Sequence, residues 1–144
     1  MRQYNSGQDL NYNKTGKIKI TGKHKNLCKI IGNQGEETAC DFLRKEKYFI
    51  LKRNFRTRTG EIDIIAYKAH TIYFFEVKTR RRTICGHPDE SVNGLKIHKI
   101  NLTAQHFLNF NPKLADFNIY FGLISIYTAG NQNEIKIIPF EPAW

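Results

Sequence analysis

Apolar and polar positions repeat with two different periods along this chain, and the switches between the periods mark out its elements. From Gly32, the stretch GNQGEETACDFLRKEKY sets Ala39, Phe42 and Leu43 at three- and four-residue steps with charged residues between them, which predicts an amphipathic helix. YFILKRNF (Tyr48 to Phe55) is aromatic and branched and reads as a strand, closed by the turn TRTG. EIDIIAY and TIYFFEVKT follow, joined by a short polar link from Lys68 to Thr71, and predict a hairpin. Helical spacing returns in DESVNGLKIHKINLTAQHFLNF through Val92, Leu95, Ile100, Leu102, Ala104, Phe107 and Leu108, with Gly94 lowering helix propensity near the start. DFNIYFGLISIY and EIKIIPF, separated by the turn AGNQN, close the chain as two more strands. The predicted order is α-β-β-β-α-β-β, an α/β domain with a mixed sheet flanked by helices.

A chain of 144 residues, 40% hydrophobic and 12% aromatic, fits one domain with a single core. Residues 1–31, with the polar run NYNKTGKIKITGKHKNLCK, offer few groups to a core and read as a mobile basic arm; residues 32–144 are the expected domain. The alternation in KIKIT is too short to offset its ordering entropy as an edge strand. Lys and Arg number 23 against 13 Asp and Glu, and the formal charge of +10 favours a polyanionic partner over a merely soluble basic surface. Cys28, Cys40 and Cys85 are odd in number and lack CxxC spacing, so neither a zinc site nor a disulfide framework is expected, and a reducing cytoplasm fits. No apolar run approaches the roughly 20 residues of a membrane span, and no signal peptide is expected. Oligomeric state stays open, a homodimer being one option.

Candidate chemistry lies on the central hairpin. Side chains alternate across a strand, so Glu61 and Asp63 are expected on one face of the first strand, and Glu76 and Lys78 on one face of the second. If Ala69 and His70 form a two-residue loop, Lys68 pairs with Thr71, and counting back sets Asp63 opposite Glu76 and Glu61 opposite Lys78. Two carboxylates facing each other across strands repel unless a cation or proton lies between them. Oxygen ligands of this kind suit Mg²⁺ or Mn²⁺, and an adjacent lysine suits a phosphate or an attacking water. The alternative is a salt-bridged sheet in which Glu61 pairs with Lys78. Glu36 breaks the first helix's pattern by aiming along its apolar stripe; either it joins the site, or it is a helix-start glutamate favoured by the macrodipole.

These motifs occur in a recognisable order: GxxGE at Gly32 to Glu36, RN at Arg53 and Asn54, GEIDII at Gly60 to Ile65, FFEVKTR at Phe74 to Arg80, and later Lys96 and AQHFL. In this combination the chain resembles the YraN family, whose core is similar to the PD-(D/E)XK nucleases and archaeal Holliday-junction resolvases; the resemblance covers about residues 31–126. It implies a restriction-endonuclease-like fold in which Asp63 and Glu76 bind the metal with the backbone carbonyl of Val77, Lys78 acts in catalysis, and Glu36 joins the site. The chain departs from the family at Asp116, Phe117 and Asn118, where members usually carry Arg-Phe-Asp.

Arg53, Arg56, Arg58, Arg80, Arg81 and Arg82 cluster at strand ends around this site and are candidates for phosphate contacts, with a solvated charged rim as the alternative. Lys96, Lys99, Thr103 and His106 share one stripe of the second helix, facing nucleic acid or water. The five histidines show no ligand-like clustering with cysteine. The sequence therefore leads to a Mg²⁺- or Mn²⁺-dependent endonuclease acting on DNA, structured or branched DNA included. The alternatives are a non-catalytic nucleic-acid-binding protein that keeps the fold, and a structural partner protein with a salt-bridged sheet.

Overall fold

The computed structural model describes residues 22–81, 93–129 and 132–142. The expected basic run before residue 22, including KIKIT, and Arg82 lie outside the described residues. The order is α1 (Gly22–Lys45), β1 (Phe49–Arg56), β2 (Glu61–Lys68), β3 (Thr71–Arg81), α2 (Gly94–Asn109), a 3-10 turn (Pro112–Leu114), β4 (Asn118–Ala129) and β5 (Gln132–Pro139). Apart from that turn, this is the sequence of elements the periodicities predict. The strands form one sheet in the order β1-β2-β3-β4-β5. β1, β2 and β3 are antiparallel neighbours, β3 and β4 run parallel, and β4 and β5 are antiparallel. A parallel neighbour requires a crossover, and α2 spans it.

The core has two layers, one on each side of the sheet. α1 buries Ala39, Cys40 and Leu43 against Ile64, Ala66, Phe75, Ile124 and Ile126. α2 buries Ile100, Ala104 and Phe107 against Ile62, Ile65, Ile72, Phe74 and Phe121. Phe74 and Phe75 point to opposite layers and are both fully buried, so β3 is the sheet's apolar centre. Each is worth roughly 1.5–3 kcal/mol of burial.

α1 starts at Gly22, ten residues before Gly32, where the expected domain begins. Ile31, one turn before Gly35, is buried, so the helix continues N-terminal to the glycines that hid it. Its end is a Schellman turn: Lys47 has φ 65°, Lys47 N–H donates to Arg44 O, and Tyr48 N–H donates to Leu43 O at 2.9 Å. α2 opens on Asn93, whose Oδ1 accepts from Lys96 N–H at 2.9 Å, so Gly94 is the first helical residue and its propensity cost is small. The β2–β3 loop is the two residues Ala69 and His70, both at positive φ (46° and 60°), with Lys68 paired to Thr71 as the count predicts.

Candidate active site

Along the β2–β3 hairpin the ladder runs from Lys68↔Thr71 to Ile64↔Phe75 and stops one pair before Asp63 and Glu76. There the carboxylate of Asp63 takes over from the backbone: Val77 N–H donates to Asp63 Oδ2 at 2.7 Å. Alternation in β2 slips at the same point, because Ile62 packs with Ile65 on the α2 side while Ile64 and Ala66 pack on the α1 side. The expectation that Glu61, Asp63, Glu76 and Lys78 share one face is therefore corrected. Asp63 lies buried at the gap where β2 leaves β3, within reach of charges from both helices, Glu36 of α1 and Lys96 of α2.

From the α1 side comes Glu36, whose Oε2 accepts from Asn54 Nδ2 at 3.0 Å. Asn54 interrupts β1 with φ 50°, a conformation asparagine tolerates better than most residues. α1 approaches β3 closely at Gly35: a Cβ there would overlap the hydroxyl of Thr79. Glu36 follows Gly35 directly, and its charge acts on Asp63. On the α2 side, Glu76 is almost wholly buried, and its Oε1 meets Lys96 Nζ at 3.1 Å. Its Oε2 is buried with no hydrogen-bond partner among the described residues.

Burial pushes the Asp63 carboxyl up from 3.8 to about 7, and the charges of Glu76 and then Glu36 push the same way. The Val77 N–H and the Lys96 ammonium pull against this without cancelling it. A buried carboxyl that resists ionisation beside a second buried carboxylate is a place where added positive charge is favourable. Among the described residues no three His, Cys, Asp or Glu side chains gather closely enough to cage a metal alone. Mg²⁺ does not need such a cage, since it takes one or two carboxylates and completes its shell with water and phosphate. Asp63 and Glu76, with one unsatisfied buried oxygen, fit that donor set.

Other assignments change. Glu61 is not paired across to Lys78: Arg56, its neighbour on β1, donates to it at 2.7 Å. Arg53 is ion-paired with Glu37 of α1 at 2.8 Å. Arg58 is exposed in the β1–β2 turn, Arg80 is half-buried on β3, and Arg81 ends that strand. Lys96 is not one of a row of residues facing outward, since it enters the carboxylate cluster, and Thr103 of the same stripe is buried, bonding to Lys99 O and facing Thr57 and Thr59. Sequence reasoning missed the Asn54–Glu36 and Lys96–Glu76 contacts, although Asn54 and Lys96 both stood in the motifs. The Asp116–Asn118 departure sits beside the Ala69–His70 loop, where Phe117 stacks on His70. Five residues of strand, about 17 Å, separate that end from Glu76.

The model of Uncharacterised protein family UPF0102, which is the YraN family, matches residues 35–126, a span holding every residue of the cluster just described. The chain belongs to this family. It is 43% identical over 109 residues to a UPF0102 protein of Caldicellulosiruptor bescii, covering 76% of this chain and 92% of the relative. A UPF0102 protein of Desulforamulus reducens is 39% identical over 113 residues (76% and 93%), and one of Geobacter metallireducens is 41% identical over 118 (81% and 96%). Family membership and the five-stranded mixed sheet between helices agree with a nuclease-like α/β fold. Among the described residues no helix is long and apolar enough to cross a membrane.

Proposed function

We propose that this YraN-family protein is a metal-dependent endonuclease that hydrolyses DNA phosphodiester bonds, with structured or branched DNA as the expected substrate class. The observation that carries this reading is the pair of buried carboxylates, Asp63 and Glu76, at the split between β2 and β3, one of whose oxygens has no partner among the described residues. Stability alone does not favour such a pair, because like charges in a desolvated site repel.

Asp63 and Glu76 would hold Mg²⁺ or Mn²⁺. The carbonyl of Val77 would join them, because in an extended strand it faces the same edge as the N–H that meets Asp63. When bound, the ion supplies positive charge at the phosphate and lowers the pKa of water. Lys78, two residues beyond Glu76 on β3, would supply the ammonium that neutralises charge developing on the phosphate. Glu36, held through Oε2 by Asn54, orients water on the α1 side. Half-buried Arg53 is paired to Glu37 and exposed Arg56 to Glu61; exposed ion pairs contribute little stability, so Arg56 in particular would be free to turn to a phosphate. Arg58, Arg80, Arg81 and Arg82 continue this basic border along the chain.

A second reading, a non-catalytic nucleic-acid-binding protein, is favoured by the Lys96–Glu76 pair, which gives one carboxylate a counter-ion within the protein. A cleavage panel of duplex, single-stranded, flap and four-way-junction DNA, with Mn²⁺ or with chelator, separates the two. Glu76→Gln should abolish ion binding and cleavage together. Lys78→Met should keep ion binding and lose about 100-fold in rate, the effect of removing one transition-state charge stabiliser. Binding of all four DNAs with no ion-dependent cleavage of any would favour the second reading.

A further inference from the structure

We propose that Lys96 is a displaceable counter-ion: its ammonium holds the cation position beside Glu76 in the metal-free protein and yields it when a divalent ion binds. The inference rests on the metal-binding reading of Asp63 and Glu76 above, and makes Lys96 a positioning residue of that site.

Three observations converge on it. Lys96 Nζ stands 3.1 Å from Glu76 Oε1, within ion-pair distance, while Glu76 Oε2 is buried and has no partner among the described residues. One ammonium thus satisfies half of one carboxylate in a cluster that also contains Asp63 and Glu36. Second, Lys96 is the third residue of α2 and its N–H is fixed by the Asn93 cap. That is the positive end of the helix, where a cation is disfavoured and an acidic residue expected, yet the first turn has no acidic residue. The helix gains nothing electrostatically from a lysine there; the carboxylates do.

Third, the partners differ in freedom. The Glu76 side chain is 9% exposed and that of Lys96 is 36% exposed, so the carboxylate must stay whereas the ammonium can swing to solvent or phosphate on its four-carbon stem. A fixed structural salt bridge would not need this mobility.

The test is calorimetric titration of the full chain with Mn²⁺ at about pH 8, without DNA, alongside melting in chelator and in Mn²⁺. If the ion must displace the ammonium, Lys96→Met should bind Mn²⁺ roughly three- to ten-fold more tightly than wild type, the range set by one partly exposed ion pair. Lys96→Gln, a milder change at a half-exposed position, should tighten binding likewise. In chelator both variants should melt lower than wild type, and Mn²⁺ should raise their melting temperatures by more. Lys96→Arg should keep the chelator value near wild type. A purely structural salt bridge predicts the lower melting temperature with unchanged Mn²⁺ affinity, so equal or weaker binding by both neutral variants overturns the proposal. Absence of Mn²⁺ binding in wild type and variants alike overturns the metal reading of Asp63 and Glu76 itself, a different result from unchanged affinity at a working site.

Discussion

Gly35→Ala should destabilise the protein, and the same substitution three residues earlier, Gly32→Ala, should stabilise it. Both glycines lie within α1, where alanine is favoured by about 1 kcal/mol. A Cβ on Gly32 meets nothing within 4 Å, so that gain is realised. A Cβ on Gly35 would overlap Thr79 Oγ1 and lie 2.9 Å from Thr79 Cβ. Rotating the threonine removes the first clash but not the second, because the Cβ is fixed by the strand backbone. Helix and sheet must therefore separate by a few tenths of an ångström, an overpacking cost of about 3 kcal/mol. Subtracting the propensity gain leaves a net loss of about 2 kcal/mol. Urea unfolding should show this as a lower midpoint at unchanged slope, and melting as a drop of about 3–5 °C per kcal/mol for a chain this long. Thr79→Ala in the Gly35→Ala background should rescue only in part, since alanine keeps the offending Cβ. The same displacement would strain the 3.0 Å Asn54–Glu36 bond, coupling the packing defect to the site. A Gly35→Ala protein as stable as the Gly32→Ala protein would refute the close approach of α1 to β3.

Asp63 is the most informative titrating group. With its folded pKa raised from 3.8 to about 7, the folded state binds a proton that the unfolded state lacks between those values, so its contribution is complete below 3.8 and lost as pH rises through about 7. In chelator, wild type should therefore lose stability from about pH 4 to pH 7 and level off above that, and Asp63→Asn should flatten that loss and be the more stable protein at pH 8, by on the order of 1–3 kcal/mol; parallel pH curves would contradict it. Lys47→Gly, at φ 65° in the Schellman turn, should raise stability by about 1 kcal/mol, and a decrease in the urea midpoint would mean that the turn is not left-handed. Deleting residues 1–21, which carry Arg2, Lys14, Lys17 and Lys19, should reduce the salt slope of duplex binding by about 0.9 per lost phosphate contact; an unchanged slope means the deleted segment does not touch the backbone.

Much of the site was legible in the sequence because its cause is local. Alternation in EIDIIAY and TIYFFEVKT, with only two residues between strands, fixes the Lys68↔Thr71 pairing whatever lies around it. Carboxylates in an apolar run stand out by composition alone, since each conflicts with the burial of its neighbours, and Glu36, Asp63 and Glu76 do contribute to one electrostatic cluster. The start of α1 was not legible, because Gly32, Gly35 and a lysine-rich flank lower the helical signal of a segment that packing stabilises.

The chain's own periodicities, then, determined the elements, their order, the hairpin register and the identity of the candidate acidic residues. Tertiary structure decided which distant groups meet them. Nothing local says that β4 runs parallel beside β3, that the ladder ends at Ile64↔Phe75, or that Asp63 substitutes its carboxylate for a backbone acceptor. Nor does spacing bring Asn54 to Glu36, Arg56 to Glu61, or Lys96 to Glu76. Periods of 2 and 3.6 report which face of an element is apolar, whereas partners across elements follow from how two helices close over a sheet that splits, a choice made by the burial of the whole core.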